Sequence, residues 1–174
     1  MVEKIWYETD VNDRLRFVLG KYSTNPLFVI GLNPSTATPE KSDITFSKVQ
    51  QFARNDGFDG VVMLNLYPQR STLPEGLHKR GQSRLIQENA AKIKIACSAF
   101  DPIYIWAAWG NQIESRPYLI RSLQLIADQL SSLPVKWLHR GPLTKAGHPR
   151  HPSRMGYQVD TFVFNLPDYL RKFS

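Results

Sequence analysis

Four short apolar runs, residues 27–32, 61–66, 103–107 and 135–138, set the strongest limit on what this chain can become. Each has the length of one strand and is mostly apolar on consecutive residues, which suits strands covered on both faces; a sheet with one wet face would alternate. The segments between them follow helical spacing. Phe46, Val49 and Ala53 stand at i, i+3 and i+7, the face of Ile86, Ala90, Ile93, Cys97 and Phe100 continues over several turns, and Leu119, Leu123, Ile126 and Leu130 repeat it. Strands alternating with helices imply βαβ units and a mainly parallel sheet with helices on both faces.

Upstream, residues 5–8 and 15–22 flank the turn-forming Asp10-Val11-Asn12-Asp13, the pattern of a β-hairpin. Downstream, residues 139–156 form a loop dense in Gly, Pro, His and Arg, and the apolar, aromatic stretch 161–170 is expected to pack back on the sheet. No repeat, low-complexity tract or linker divides the chain. The expectation is one α/β domain over residues 1–174: a three-layer sandwich around a four-stranded, mainly parallel sheet, with an N-terminal β-hairpin.

Composition narrows the function classes. No run approaches the ~20 apolar residues that span a bilayer, and the amino-terminal Met-Val-Glu-Lys-Ile-Trp-Tyr lacks an export signal, so a cytoplasmic protein without a membrane partner is expected. A single cysteine, Cys97, excludes an internal disulfide, a cysteine-ligated iron-sulfur cluster and a multi-cysteine zinc site. Lys and Arg number 22 against 15 for Asp and Glu, a net charge of +7. That excess fits either a solvated basic surface or a polyanion partner.

In an open parallel sheet, ligands bind beyond the carboxyl ends of the strands. The loops there read Gly31-Leu32-Asn33-Pro34-Ser35-Thr36-Ala37, Asn65-Leu66-Tyr67-Pro68, Trp109-Gly110-Asn111, and Gly147-His148-Pro149-Arg150-His151-Pro152-Ser153. Pro34 keeps Asn33 out of helical geometry, so its amide either orients a water or serves an ordinary turn, with Ser35 or Thr36 as a cap. Asn65 either reads a base or amide edge or satisfies nearby backbone. Tyr67 is a stacking face or core, and Trp106 and Trp109 read as structural. Asp43 is an N-cap or a charged site residue. His148 and His151 are loop histidines or groups that stabilise a developing anion, and Arg140, Lys145, Arg150 and Arg154 around them suit phosphate. His78, His139 and Cys97 have no convincing ligand spacing, so no metal is expected. Neither a dinucleotide fingerprint nor a triphosphate loop occurs, so no organic cofactor is expected either.

Together, GLNPSTA, VVMLNLYPQRST, AAWG and LTKAGHPRHP resemble the bacterial and phage family catalogued as domain of unknown function 1643, from about Leu15 to about Pro152. The same order is similar to the uracil-DNA glycosylase superfamily, whose four-stranded parallel sheet lies between helices. In its mismatch-specific branch an Asn in a G-I-N-P-G segment orients the hydrolytic water, and Asn33 takes that position. In its uracil-specific branch a strand ends in an Asn that reads the base, as Asn65 would. That branch also has a strand ending in W-G and a closing H-P-S loop whose His supports the leaving base, positions matched by Trp109-Gly110 and His151-Pro152-Ser153. The catalytic Asp of that branch has no counterpart in these motifs.

The resemblance implies a nucleobase N-glycosidic hydrolase acting on nucleic acid, DNA ahead of RNA, or on nucleotides. Asn33 and His151 would be catalytic, with Ser35, Asn65, Tyr67, Gly110 and Asn111 binding substrate. Arg140, Lys145, His148, Arg150 and Arg154 would grip the nucleic acid. The rival readings are a non-catalytic nucleic-acid-binding module and a small-molecule nucleoside or nucleotide hydrolase or transferase.

Overall fold

The computed structural model describes residues 4–174; residues 1–3, on which part of the reading of the amino terminus rests, lie outside the described residues. In chain order the strands are β1 (Ile5–Thr9), β2 (Arg16–Lys21), β3 (Pro26–Gly31), β4 (Gly60–Asn65), β5 (Ile103–Ala107), β6 (Val135–Arg140) and β7 (Thr161–Val163). The helices are α1 (Ile44–Asn55), α2 (Ser83–Cys97), α3 (Pro117–Leu130) and α4 (Leu166–Arg171).

The four apolar runs become β3, β4, β5 and β6. They pair in parallel in the order β4-β3-β5-β6. The expectation of a four-stranded sheet is corrected to a mixed sheet of seven strands, β1-β2-β4-β3-β5-β6-β7. The hairpin β1–β2 forms, but it joins the sheet through antiparallel pairing of Leu19 and Gly20 with Met63 and Val62. At the opposite edge β7 lies antiparallel to β6, pairing Val163 with Leu138. A three-residue exposed strand carries too little pattern to be read as one.

Burial follows from this order. Strand β3, flanked on both sides, is buried along its whole length, whereas β6, one strand from the edge, is half-buried on most residues. On one face Phe28, Ile30, Leu64 and Ile105 meet Ala90 and Ile93 of α2 and Leu119, Leu123 and Ile126 of α3. On the other, Leu27, Val29, Met63 and Trp106 meet Phe46, Val49, Phe52 and Ala53 of α1. Helix α1 starts at Asp43, whose Oδ1 accepts the Phe46 amide at 2.8 Å, and Pro117 occupies the first turn of α3, where an amide hydrogen is not needed. The Cys97 thiol is fully buried, with its pKa pushed up to about 12 by burial, which makes it core and not a nucleophile. No helix among the described residues is long and apolar enough to cross a membrane.

Candidate functional site at the strand ends

The carboxyl ends of β3, β4 and β5 and the loop after β6 enclose one cleft of about 750 Å³. Asn33, Ser35, Asn65, Gly110, Asn111, Arg150, His151 and Arg154, eight of the residues expected to form a site, line it.

Asn33 leaves the end of β3, and its Nδ2 donates to the carbonyls of Pro34 and Ser71, both at 3.0 Å, and of Gln69 at 3.4 Å. The amide nitrogen therefore ties two loops together, which leaves Oδ1 without a protein partner among the described residues. Asn65, opposite Gly31 in the β3–β4 register, is 2% exposed, and its amide satisfies its surroundings when the nitrogen faces the carbonyls of Asn33 and Leu64, 3.3 Å each. Gly31 makes that possible, because a Cβ there would come within 3.1 Å of the Asn65 amide. Asn89 of α2 adds support from behind, donating to the Asn65 and Leu66 carbonyls at 2.8 and 3.2 Å. A polar residue on the buried face of α2 was the sequence signal for this brace.

His151 caps the start of a short 3-10 turn, Pro152–Arg154, where the Ser153 amide donates to its Nδ1 at 3.2 Å and the Ser153 hydroxyl lies 2.7 Å away. A backbone donor on Nδ1 places the proton of the neutral ring on Nε2. Burial lowers the His151 pKa; the Asp43 charge pulls it up and the Arg154 charge pulls it down. Gly110 packs beneath it with φ of 71°, a conformation L side chains avoid, and an added Cβ would meet the His151 Cβ at 3.3 Å. The Gly110 amide also donates to the Pro149 carbonyl at 3.0 Å, joining the β5 loop to the closing loop. Asn111 accepts from Thr144 Oγ1 at 2.7 Å, and Arg150 donates from Nε to the Pro142 carbonyl at 2.8 Å. Both hold the basic loop in shape while facing the cleft.

Three expected site residues are corrected. Tyr67 is fully buried, pairs with His78 Nδ1 at 2.7 Å, receives the Gln82 amide at 3.2 Å and lies outside the cleft lining, so it is core and not a stacking face. Arg140 is 2% exposed; it pairs with Asp56, donates to Thr161 at 2.9 Å and lies over the rings of Phe52 and Trp106. Its charge is compensated inside the fold. His148 is equally buried, with both ring nitrogens engaged: Nδ1 with the Tyr169 hydroxyl at 2.7 Å and Nε2 with Glu114 at 2.9 Å. Neither ring nitrogen is left for a phosphate. Lys145 remains an exposed cation outside the cleft.

Two charged residues complete the lining. Asp43 caps α1 and also faces the cleft, where its field raises the pKa of both Arg16 and His151. The cleft thus contains a carboxylate that the motifs lacked. Arg16 opens β2 and is 3% exposed. Burial, then the neighbouring Arg70 charge, lowers its pKa to about 10, which leaves it charged at neutral pH. Its sequence signal was an arginine entering the apolar Phe17-Val18-Leu19. Among the described residues, no group of three His, Cys, Asp or Glu side chains is placed to hold a metal ion.

The fold and site define an α/β protein with a basic, amide-lined cleft at the carboxyl ends of its parallel strands. Its family follows from residues 16–153, which match the family model described as Protein of unknown function (DUF1643); the chain belongs to that family. No curated protein and no solved structure matches the chain.

Proposed function

We propose that the protein is a nucleobase N-glycosidic hydrolase of the uracil-DNA glycosylase kind, acting on a nucleotide unit held in the strand-end cleft. The observation that supports this reading is that Asn33 and Asp43 of the β3–α1 connection, Asn65 at the end of β4 and His151 of the closing loop line a single cavity. Asn65 reads the edge of the base. Asn33 Oδ1 and the Asp43 carboxylate hold a water against the sugar carbon. As the carbon–nitrogen bond breaks, its electron pair leaves with the base, and His151 donates from Nε2 to the oxygen that takes up the charge. The water oxygen bonds to the sugar carbon, its proton passes through Asp43 to the departing base, and the products are the free base and a hydroxylated sugar.

One observation favours a second reading, a binding module without chemistry: the Asn33 amide nitrogen is bonded to loop carbonyls, as a structural tie would be. The deciding experiment incubates the full chain with single- and double-stranded DNA and RNA carrying uracil, hypoxanthine or mismatches, and with free nucleotides. It scores abasic sites and released base. Release that fails in His151→Ala supports the hydrolase; binding without release from any substrate leaves the module.

A further inference from the structure

Arg16 is a buried cation in the cleft wall that no carboxylate among the described residues contacts. Its Nη1 donates to the Ala37 carbonyl at 3.0 Å, and its Nε is buried with no partner. Among the described residues Nη2 has no acceptor either, and no carboxylate lies within 4 Å of the guanidinium. Arg70 provides the contrast, since it binds the same Ala37 carbonyl but is paired with Asp13 at 3.1 Å. A buried guanidinium with no carboxylate in contact is costly, and an unpartnered Nε–Nη2 edge is the fork that suits two oxygens of one oxyanion.

We propose that Arg16 is the phosphate-binding residue of the cleft and that the ligand is a nucleoside monophosphate, its terminal phosphate seated on the Nε–Nη2 edge. Arg16, 3% exposed as a residue, is out of reach of a phosphodiester backbone running across the surface, whereas a terminal phosphate enters with its nucleotide. The assignment rests on the nucleotide reading for the base and sugar, and fixes the size and charge of the substrate within it.

The test compares melting temperatures of wild type, Arg16→Met and Arg16→Lys with nucleoside monophosphates, the corresponding nucleosides and inorganic phosphate. In wild type the monophosphates raise the melting temperature well beyond the nucleosides. Arg16→Met, which fills the same space without charge, melts no lower than wild type unliganded and loses the monophosphate increment. If Arg16→Met melts lower and keeps the increment, Arg16 is only a tie to Ala37 and the proposal fails. Should Arg16→Met not fold, Arg16→Lys decides: an at least tenfold weaker monophosphate affinity at unchanged nucleoside affinity supports the proposal, and an unchanged ratio overturns it. Tighter, Arg16-dependent binding of a single-stranded oligonucleotide lacking terminal phosphate also overturns it. Base release is scored separately. Phosphate discrimination without release removes only the hydrolase; release without phosphate discrimination removes only the Arg16 assignment.

Discussion

Asp43 meets two demands with one side chain. One oxygen caps α1, and the negative charge faces Arg16 and His151 across the cleft. Asparagine caps as well as aspartate but carries no charge, so Asp43→Asn separates the roles. The variant is expected to melt within a degree or two of wild type while base release falls by about 10²-fold, the usual worth of a positioned base. A parallel loss of both would make the cap the whole story. His151 carries a second prediction. Burial holds its folded pKa below the ordinary 6.5, so between the two values the unfolded chain binds more protons and stability rises with pH. Melting temperature should therefore fall as pH drops below 6.5 and level off beneath the folded value. His139, also lowered by burial, adds the same sign. His151→Gln should flatten part of this slope in a melting series from about pH 5 to 8; an unchanged slope would remove His151 from the account.

At the scale of elements, the closing loop is held to the rest of the fold by a chain of polar contacts. Trp109 Nε1 donates to the Tyr169 hydroxyl at 3.1 Å, that hydroxyl donates to His148 Nδ1 at 2.7 Å, and His148 Nε2 donates to Glu114 at 2.9 Å. Short helix α4, six residues long, is thereby fixed to the loops after β5 and β6. The basic loop is thus tied to the fold through a buried histidine. Tyr169→Phe keeps the ring but leaves the Trp109 donor and the His148 acceptor unpaired, at roughly 1–3 kcal/mol for each buried group. The expected result is a lower urea midpoint at unchanged m-value. An unchanged midpoint would mean that the two groups find other partners.

For the whole molecule, the excess of basic residues divides by depth. Arg140 is neutralised internally, Arg16 sits in the cleft wall, and Lys145 and Arg154 are exposed. Exposed charges are screened by salt and buried ones much less. Single-stranded oligonucleotide binding should therefore weaken steeply with salt, with a log–log slope of roughly −0.7 for each phosphate contacted, while monophosphate binding should change far less. Titrations at several salt concentrations check this, and equal slopes for both ligands would contradict the division.

What the sequence determined by itself was the part written in local spacing. Consecutive apolar residues and helical periodicity define the backbone geometry of β3 to β6 and of α1 to α3, and that order sends the loops bearing Asn33, Asn65, Gly110 and His151 to one edge of the sheet. The joining of the hairpin to β4, the addition of β7, and the final direction of each polar side chain depend on partners far away in sequence. Arg140 meets Asp56, His148 meets Glu114 and Tyr169, and Tyr67 meets His78, so residues that read as a phosphate grip and a stacking face are drawn inward. Asp43 and Arg16 are brought to the same cleft although one reads as a cap and the other as part of a hairpin. Periodicity states which face of an element is apolar; where a charge ends is decided by the long-range contact that compensates it or leaves it open to a ligand, and only the folded chain makes those contacts.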